Sequence, residues 1–230
     1  MSGFTLKKCH SGLDLANQLA DRICSELEAG IAERGTAILA VSGGSTPKLL
    51  FEILSNKTIS WEDVIVTLVD ERWVDENDER SNALLVKQHL LVNNASNARF
   101  VPLYRPGDID QEIFRLERQL QTLPLPFDVV VLGMGSDGHT ASFFPGGDNL
   151  DIAVDEAGKI LLSTMRAPGA VEPRVTFTLP PLLESRFLAL HIEGADKLNV
   201  LDQAGEEGDA NLMPIRHVLR NRDKLEVYWA

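Results

Sequence analysis

The chain has 230 residues, of which 44% are hydrophobic and 24% are charged, and this is enough for a well-packed globular domain. Its formal net charge of −12 argues against nucleic acid or an anionic membrane surface as a partner, because both would repel it. A small anionic ligand is compatible with that charge, since a few Arg and Lys side chains can gather in one pocket.

No segment has the composition of a membrane span or of a secretory signal. The apolar runs fall short of the roughly 18 residues that a span needs. Lys7, Lys8 and His10 interrupt the start of the chain, and no apolar core follows them. Cys24 falls on the apolar side of a predicted helix, which favours a buried thiol over a disulfide with Cys9. We therefore expect a cytoplasmic protein.

The first part of the chain predicts an edge strand at residues 4–9 and a long amphipathic helix after it. Apolar side chains recur at helical spacing over residues 15–31, and the helix is expected to end near Gly35. Residues 36–42 form a short apolar run without alternation, which is typical of a strand buried on both faces.

Strands and helices continue to alternate. A helix is predicted after this strand, with Thr46 as its N-cap and Pro47 as its first residue, and Ser81 is the predicted N-cap of a later helix. The further strands are predicted at 63–70, 99–103, 127–134, 159–164, 174–178, 186–192 and 224–229. The further helices are predicted at 81–91, 108–120, 194–201 and 213–219.

This alternation predicts a single Rossmann-like α/β domain over residues 1–230, with a mostly parallel sheet and helices on both faces. In such folds, ligands bind beyond the carboxyl ends of the strands. Three loops with unusual chemistry, residues 42–46, 70–82 and 133–145, follow apolar strands. We expect these loops to converge on one site.

The first loop combines glycines and hydroxyl groups in front of a helix. Gly43 and Gly44 allow the backbone to turn tightly and to approach a ligand. The helix behind them presents free N–H groups that attract phosphate, and Ser42, Ser45 and Thr46 add hydroxyl donors. The Walker A pattern is absent. The loop therefore indicates either an anion site or a plain strand-to-helix turn.

The second loop begins with Asp70, Glu71 and Arg72 directly after a buried strand and is predicted as polar and irregular. Arginine suits bidentate capture of phosphate or carboxylate, and the adjacent carboxylates suit steering or acid–base work. The alternative is a solvated loop with local salt bridges. That alternative is favoured for the charged residues farther along, which are Asp75, Glu76, Asp78, Glu79 and Arg80.

The third loop spells GxGxxG through Gly133, Gly135 and Gly138, a pattern of dinucleotide sites. Such a site needs a full helix after the loop and an acidic residue at the end of the next strand. Here Pro-Gly-Gly at 145–147 stops any helix within two turns, and the strand at 159–164 ends in Ser and Thr. The loop therefore argues against NAD as a cofactor.

His139 is the residue of this loop best suited to catalysis, because imidazole performs general acid–base chemistry near neutral pH. Asp137 is a candidate to orient its ring, and the alternative is that these residues only cap the turn. Neither HExxH spacing nor a GxSxG elbow is present, so we expect no metal and no serine nucleophile. The other histidines are interpreted as structural, and they are His10, His89, His191 and His217.

Five motifs occur in one order along the chain: VSGGSTP (41–47), VDERWV (69–74) with SN (81–82), LGMGSDGHTASFFPG (132–146), RVTFT (174–178) and GADK (194–197). With them the chain resembles the 6-phosphogluconolactonase family over nearly its whole length. The resemblance implies the fold shared with glucosamine-6-phosphate deaminases and ribose-5-phosphate isomerases, and it implies neither cofactor nor metal.

The same resemblance implies hydrolysis of 6-phospho-D-glucono-1,5-lactone, a step of the oxidative pentose phosphate pathway. His139 would deprotonate the attacking water, with Asp137 as its orienter. The phosphosugar lactone would be the only partner, bound by a monomer or weak homo-oligomer. The binding residues implied are Ser42, Gly43, Gly44, Ser45, Thr46, Asp70, Arg72, Asn82, Arg174 and Lys197.

Two other functions stay open at this point. Glucosamine-6-phosphate deaminases resemble the chain in the same loops, but they usually read MDEY where this chain has VDERW, and they carry a Glu shortly after the DGH motif. This chain has Arg72 at the first position and no carboxylate between His139 and Asp148, which favours the lactonase. A non-catalytic sugar-phosphate sensor would keep the pocket without the chemistry.

Overall fold

The computed structural model describes residues 3–230, in which ten strands form two sheets. The strands are β1 (Phe4–Lys8), β2 (Ala37–Val41), β3 (Val64–Leu68), β4 (Asp70–Arg72), β5 (Arg99–Val101), β6 (Val129–Leu132), β7 (Leu162–Met165), β8 (Arg174–Phe177), β9 (Phe187–Ile192) and β10 (Leu225–Trp229). The helices are α1 (Gly12–Arg34), α2 (Lys48–Ser55), α3 (Asn82–His89), α4 (Ile109–Leu120), α5 (Leu150–Ala153), α6 (Leu179–Leu183), α7 (Ala195–Gly205) and α8 (Ile215–Asn221). The predicted domain also includes Met1 and Ser2, which lie outside the described residues.

Seven parallel strands form the main sheet in the order β1-β10-β9-β6-β2-β3-β5. Every residue of β2, β3, β6 and β9 is buried, which explains their nearly continuous apolar sequences. The predicted α/β fold with a mostly parallel sheet is confirmed, and β1 lies at the sheet edge as predicted.

A second, antiparallel sheet of three strands has the order β4-β8-β7 and was not expected from the sequence. The prediction that residues 70–82 form an irregular loop is wrong for its first three residues, which are β4. These polar residues can form a strand because Asp70 and Glu71 are buried against local hydrogen-bond donors. The Phe177 N–H donates to the Val69 carbonyl at 2.9 Å, so the second sheet starts where β3 leaves the first.

Helix α1 follows its predicted pattern and boundaries. On its apolar stripe, the side chains of Leu15, Leu19 and Ile23 are fully buried, and Ile31 near the end of the helix is partly buried. Ser11 caps the N-terminus, and Gly35 ends the helix with a left-handed φ of 76°. Cys24 on this stripe is buried, and both cysteines are free thiols as predicted. Of the helices in residues 3–230, none has the length and hydropathy that crossing a membrane requires.

The predicted start of α2 is wrong by one residue. The helix begins at Lys48, Pro47 occupies the N-cap position, and Thr46 makes no capping hydrogen bond. The Lys48 N–H instead contacts the Ser45 carbonyl at 3.5 Å, which closes a turn before the helix. Thr46 therefore belongs to the loop. Ser81 caps α3 as predicted, since its hydroxyl accepts from the Leu84 N–H at 3.2 Å.

Candidate active site

A cleft of about 390 Å³ lies at the carboxyl ends of β2, β6 and β9, and its volume is in the range of small-molecule sites. All three predicted loops contribute to its wall, together with β8 and the start of α7. The predicted site residues found in the wall are Ser42, Gly43, Gly44, Ser45, Thr46, Asp70, Arg72, Asn82, His139, Arg174 and Lys197. Asp137, the remaining predicted site residue, does not line the cleft itself, but it contacts His139, which does.

Asp137 both orients the ring of His139 and caps the turn that carries it. Its Oδ1 atom lies 2.6 Å from His139 Nδ1 and accepts from the His139 backbone N–H at 3.1 Å. The hydrogen bond from His139 is the main reason why the pKa of Asp137 is lowered to about 2, so this carboxylate is ionised at neutral pH. A carboxylate only accepts hydrogen bonds, so Nδ1 carries the proton and Nε2 is the free basic nitrogen.

The glycines of this loop serve the His139–Asp137 pair. A Cβ atom on Gly135 would overlap the imidazole of His139 and crowd the carboxylate of Asp137. The Gly135 N–H donates to the His139 carbonyl at 2.8 Å, and Gly138 completes the turn with a left-handed φ of 77°. The GxGxxG spacing thus lets the turn close around a side-chain pair, and residues 136–149 contain no helix.

The ring of Phe144 lies against His139, a contact that the sequence did not predict. The two ring centroids are 4.5 Å apart. The chain reverses between them in a turn in which the Phe143 N–H donates to the Thr140 carbonyl at 2.9 Å. Ala141 in this turn has a φ of 48°, a left-handed conformation uncommon for residues other than glycine. The turn therefore places the Phe144 ring against the His139 ring, which restricts the movement of the imidazole.

Three cations face the cleft from two directions. Arg72 and Arg174 are direct cross-strand partners in β4 and β8, and the Nε atom of each is buried without a hydrogen-bond partner among residues 3–230. Burial lowers the pKa of Arg174, whose guanidinium also lies 5.5 Å from the ring of Phe144. Lys197 joins them from the first turn of α7. Because like charges directly opposite each other are unfavourable, this arrangement suits an anion.

The loop after β2 adds backbone donors to these cations. The N–H groups of residues 43–46 donate to no acceptor within the described part of the chain. Gly44 has a φ of 94°, which few residues other than glycine adopt. A Cβ on Gly43 would overlap the amide of Asn82, so glycine is required for Asn82 to reach the cleft. The close approach of Gly43 to Asn82 joins the first and second loops, and the Asn82 Nδ2 group donates to the Asp70 carbonyl at 2.9 Å within the second loop.

The two carboxylates of the second loop have different surroundings. Asp70 lines the cleft, and its Oδ2 accepts from the Ser142 hydroxyl at 2.5 Å, which joins the second loop to the third. Glu71 lies behind the cleft and is fully buried. Its oxygens accept from the N–H groups of Arg72, Asn82 and Ala83 at 2.7–2.8 Å. Burial raises the pKa of Glu71 to about 7, although these bonds favour its charged form. The structure indicates a structural role for Glu71.

His191 contributes to the cleft wall, although the sequence indicated only a structural residue in a strand. It is buried near the end of β9, and its Nε2 lies 3.0 Å from Glu193 Oε1. Burial lowers its pKa. Its place near the carboxyl end of a predicted strand is a signal that could have pointed to the cleft. His89 and His217 lie on helices and outside this wall.

No group of three or more His, Cys, Asp or Glu side chains with metal-binding geometry occurs in residues 3–230.

Comparisons with known proteins agree on one family. The sequence model described as "Glucosamine-6-phosphate isomerases/6-phosphogluconolactonase" matches residues 11–229. A 6-phosphogluconolactonase of Rhizobium meliloti (strain 1021) is 50% identical over 94% of both chains. One of Pseudomonas aeruginosa is 40% identical over 99% of this chain and 95% of its own.

Solved structures show the same likeness. A crystal structure of a 6-phosphogluconolactonase from Shewanella baltica OS155 has a TM-score of 0.95 and 42% identity, covering 98% of this chain and 97% of that one. A monomeric glucosamine-6-phosphate deaminase has a TM-score of 0.77, with 98% and 97% covered, but at 18% identity it shows only the shared fold.

Proposed function

Since the chain belongs to the glucosamine-6-phosphate isomerase/6-phosphogluconolactonase family, we propose that it hydrolyses 6-phospho-D-glucono-1,5-lactone to 6-phospho-D-gluconate. One observation carries the proposal within the structure. His139, oriented by Asp137, faces the same cleft as Arg72 and Arg174. A basic nitrogen and an anion site in one cleft suit an ester that bears a phosphate group.

The phosphate group of the substrate binds where the cations and the free N–H groups meet. Arg72, Arg174 and Lys197 supply the positive charge, and the N–H groups of residues 43–46 supply uncharged donors. This local charge accommodates an anion in a chain whose net charge is −12. Asn82 and Asp70, which line the adjoining wall, bind sugar hydroxyls.

His139 acts as general base and then as general acid. Its Nε2 atom takes a proton from water while the water oxygen attacks C1 of the lactone, and the carbonyl oxygen becomes an oxyanion. When the C1–O bond of the ring breaks, the imidazolium returns that proton to the departing ring oxygen. The negative charge of Asp137 stabilises the imidazolium between the two steps. A positioned base of this kind contributes roughly 10²–10⁴-fold to the rate.

The alternative of a sugar-phosphate deaminase or isomerase is less well supported. The segment between His139 and Asp148 contains no carboxylate that could assist ring opening. The relatives that are 40–50% identical are named 6-phosphogluconolactonase, while the deaminase resembles this chain only in fold.

A pH-stat assay with freshly prepared lactone tests the proposal. We expect one equivalent of acid per molecule of lactone, released well above the spontaneous rate, which is measured without protein and subtracted. Ammonia released from glucosamine 6-phosphate would instead establish a deaminase. If 6-phosphogluconate binds while the lactone is hydrolysed only at the spontaneous rate, the protein is a sugar-phosphate sensor and the proposal is wrong.

A further inference from the structure

Arg80 contacts Arg72, one of the three cations that line the cleft, although the sequence indicated a solvated residue of a charged loop. Its backbone carbonyl accepts a hydrogen bond from Arg72 Nη1. Its own guanidinium pairs with Oε1 of Glu172, which is 92 positions later in the chain. Arg80 therefore joins the loop after β4 to the residue two positions before β8.

Glu172 also contacts Arg174, the second arginine of the cleft. Its Oε2 atom lies 3.9 Å from Arg174 Nη2, and both side chains are only 12% exposed. No other carboxylate lies within 4.0 Å of the Arg174 guanidinium in residues 3–230. One residue pair, Arg80 and Glu172, thus contacts both Arg72 and Arg174.

Arg80 is itself held in one orientation. Asp78 accepts from the Arg80 backbone N–H at 2.9 Å, and its two oxygens accept from Nε at 3.0 Å and Nη2 at 2.9 Å. The Arg80 side chain is 54% exposed, so these ion pairs contribute little to the stability of the fold. The ion pairs nevertheless fix the orientation of the Arg80 guanidinium, because Asp78 binds two of its nitrogen atoms and Glu172 binds the third.

Arg72 and Arg174 need such support in the absence of ligand. They are direct cross-strand partners, so their charges repel each other, and each long side chain has many rotamers. A phosphate that bound two unrestrained arginines would have to overcome both the repulsion and the loss of rotamer freedom. Restraining the side chains beforehand reduces that cost.

We propose that Arg80 and Glu172 are positioning residues that hold Arg72 and Arg174 in the arrangement in which one phosphate group binds both. The inference rests on the proposed function insofar as the natural ligand is a phosphosugar. Its test uses binding as well as turnover, so that the two can fail separately.

The test compares Glu172→Gln, Arg80→Ala and the double variant by calorimetric titration with inorganic phosphate and with 6-phosphogluconate. We expect Kd to rise about tenfold in each single variant and no further in the double variant, because both changes break one connection. KM for the lactone should rise in parallel while kcat stays within about twofold, since phosphate binding is similar in the ground and transition states. Arg80→Lys, which keeps the charge, should recover part of the affinity.

Glu76→Gln is the matched control. It breaks the ion pair of Glu76 with Lys87, which joins the same loop to α3 but does not line the cleft. Its Kd values should equal those of the wild type. Thermal unfolding of every variant verifies that the titrated protein is folded.

Wild-type Kd values in Glu172→Gln would overturn the inference. Tighter phosphate binding would also overturn it, because Glu172 would then compete with the ligand for Arg174. A loss of kcat at unchanged KM would place the pair in the chemistry instead. If phosphate binding weakens as expected but the wild type hydrolyses no lactone, the inference holds and the proposed function fails.

Discussion

At the scale of single residues, one carboxylate oxygen of Asp137 performs two tasks. It accepts from the His139 backbone, which fixes the turn, and from the His139 ring, which leaves Nε2 as the basic nitrogen. The sequence identified both residues but offered orientation and capping as alternatives. The structure shows that the two are compatible, because the bonds share one oxygen.

Asp137→Asn should weaken the base. If the Asn oxygen takes the place of Oδ1, it accepts both bonds but has no charge to stabilise the imidazolium; if the NH₂ group takes that place, it donates to Nδ1 and leaves the proton on Nε2, where it blocks the base. We therefore expect kcat for the lactone to fall by roughly 10²-fold or more. Asp155→Asn is the control, because Asp155 caps the Ala157 N–H at 3.0 Å in the same way and makes no hydrogen bond to a histidine in residues 3–230. Equal activity of Asp137→Asn and wild type would show that Asp137 only caps the turn.

Because of Asp137, the free energy of unfolding should decrease when the pH falls into the acid range. Its folded pKa, about 2, lies below the ordinary value of 3.8, so its contribution is complete above that value and is lost as the pH falls towards 2. Urea unfolding at pH 5 and pH 3 should show a smaller loss of stability for Asp137→Asn than for the wild type. An equal loss in both proteins would mean that the pair does not depress this pKa.

Other residues of the cleft could not be identified from local sequence. Phe144 reaches His139 only because the chain reverses at Ala141, whose left-handed φ has no sequence signal. His191 lies near the carboxyl end of a predicted strand, but only the sheet order, in which β9 lies beside β6, brings that strand end to the cleft. Both depend on long-range packing.

At the scale of secondary structure elements, Glu71 joins β4 to the start of α3. Its carboxylate accepts from the first two N–H groups of the helix, and Ser81 accepts from the third. These N–H groups would otherwise be buried without partners, because the helix lacks acceptors for its own first turn. Asn82, which lines the cleft, is the first residue of that helix.

Glu71→Gln should lower the stability of the fold. Glutamine keeps the size of the side chain but places an NH₂ group where an oxygen accepts hydrogen bonds. The cost of burying the ionised carboxylate, which the raised pKa of Glu71 reflects, offsets part of this effect, so we expect the free energy of unfolding to fall by about 1–3 kcal/mol at pH 8. Chemical denaturation measures this, with Glu79→Gln as an exposed control. A change below about 0.5 kcal/mol, the range of ordinary surface substitutions, would contradict the structural role of Glu71.

The main elements follow from the sequence because their signals are local. Periodic apolar residues and the Ser11 and Gly35 caps define α1, and apolar runs define the buried strands. The sequence does not predict the short strand β4, because its residues are polar and its partner, β8, is about a hundred positions away. It does not place Thr46 correctly, because Ser-Thr-Pro fits both a cap and a preceding turn.

At the scale of the whole molecule, the cleft combines two sheets. The main sheet supplies the loops after β2 and β6, and the second sheet supplies Arg72 and Arg174 as a cross-strand pair. The sequence predicted that three loops converge, because carboxyl ends of parallel strands share one edge. It could not show that the arginines face each other, since that depends on the register of β4 with β8.

The central claim is that His139 performs the chemistry on a ligand held mainly by other residues. The most direct measurement is lactone hydrolysis by His139→Ala, together with the Kd of the variant for 6-phosphogluconate. His89→Ala is the control, because His89 pairs with Glu52 on α2 outside the cleft. We predict that His139→Ala loses at least about 100-fold in kcat and keeps its Kd within about threefold, while His89→Ala matches the wild type. Wild-type turnover by His139→Ala would contradict the account.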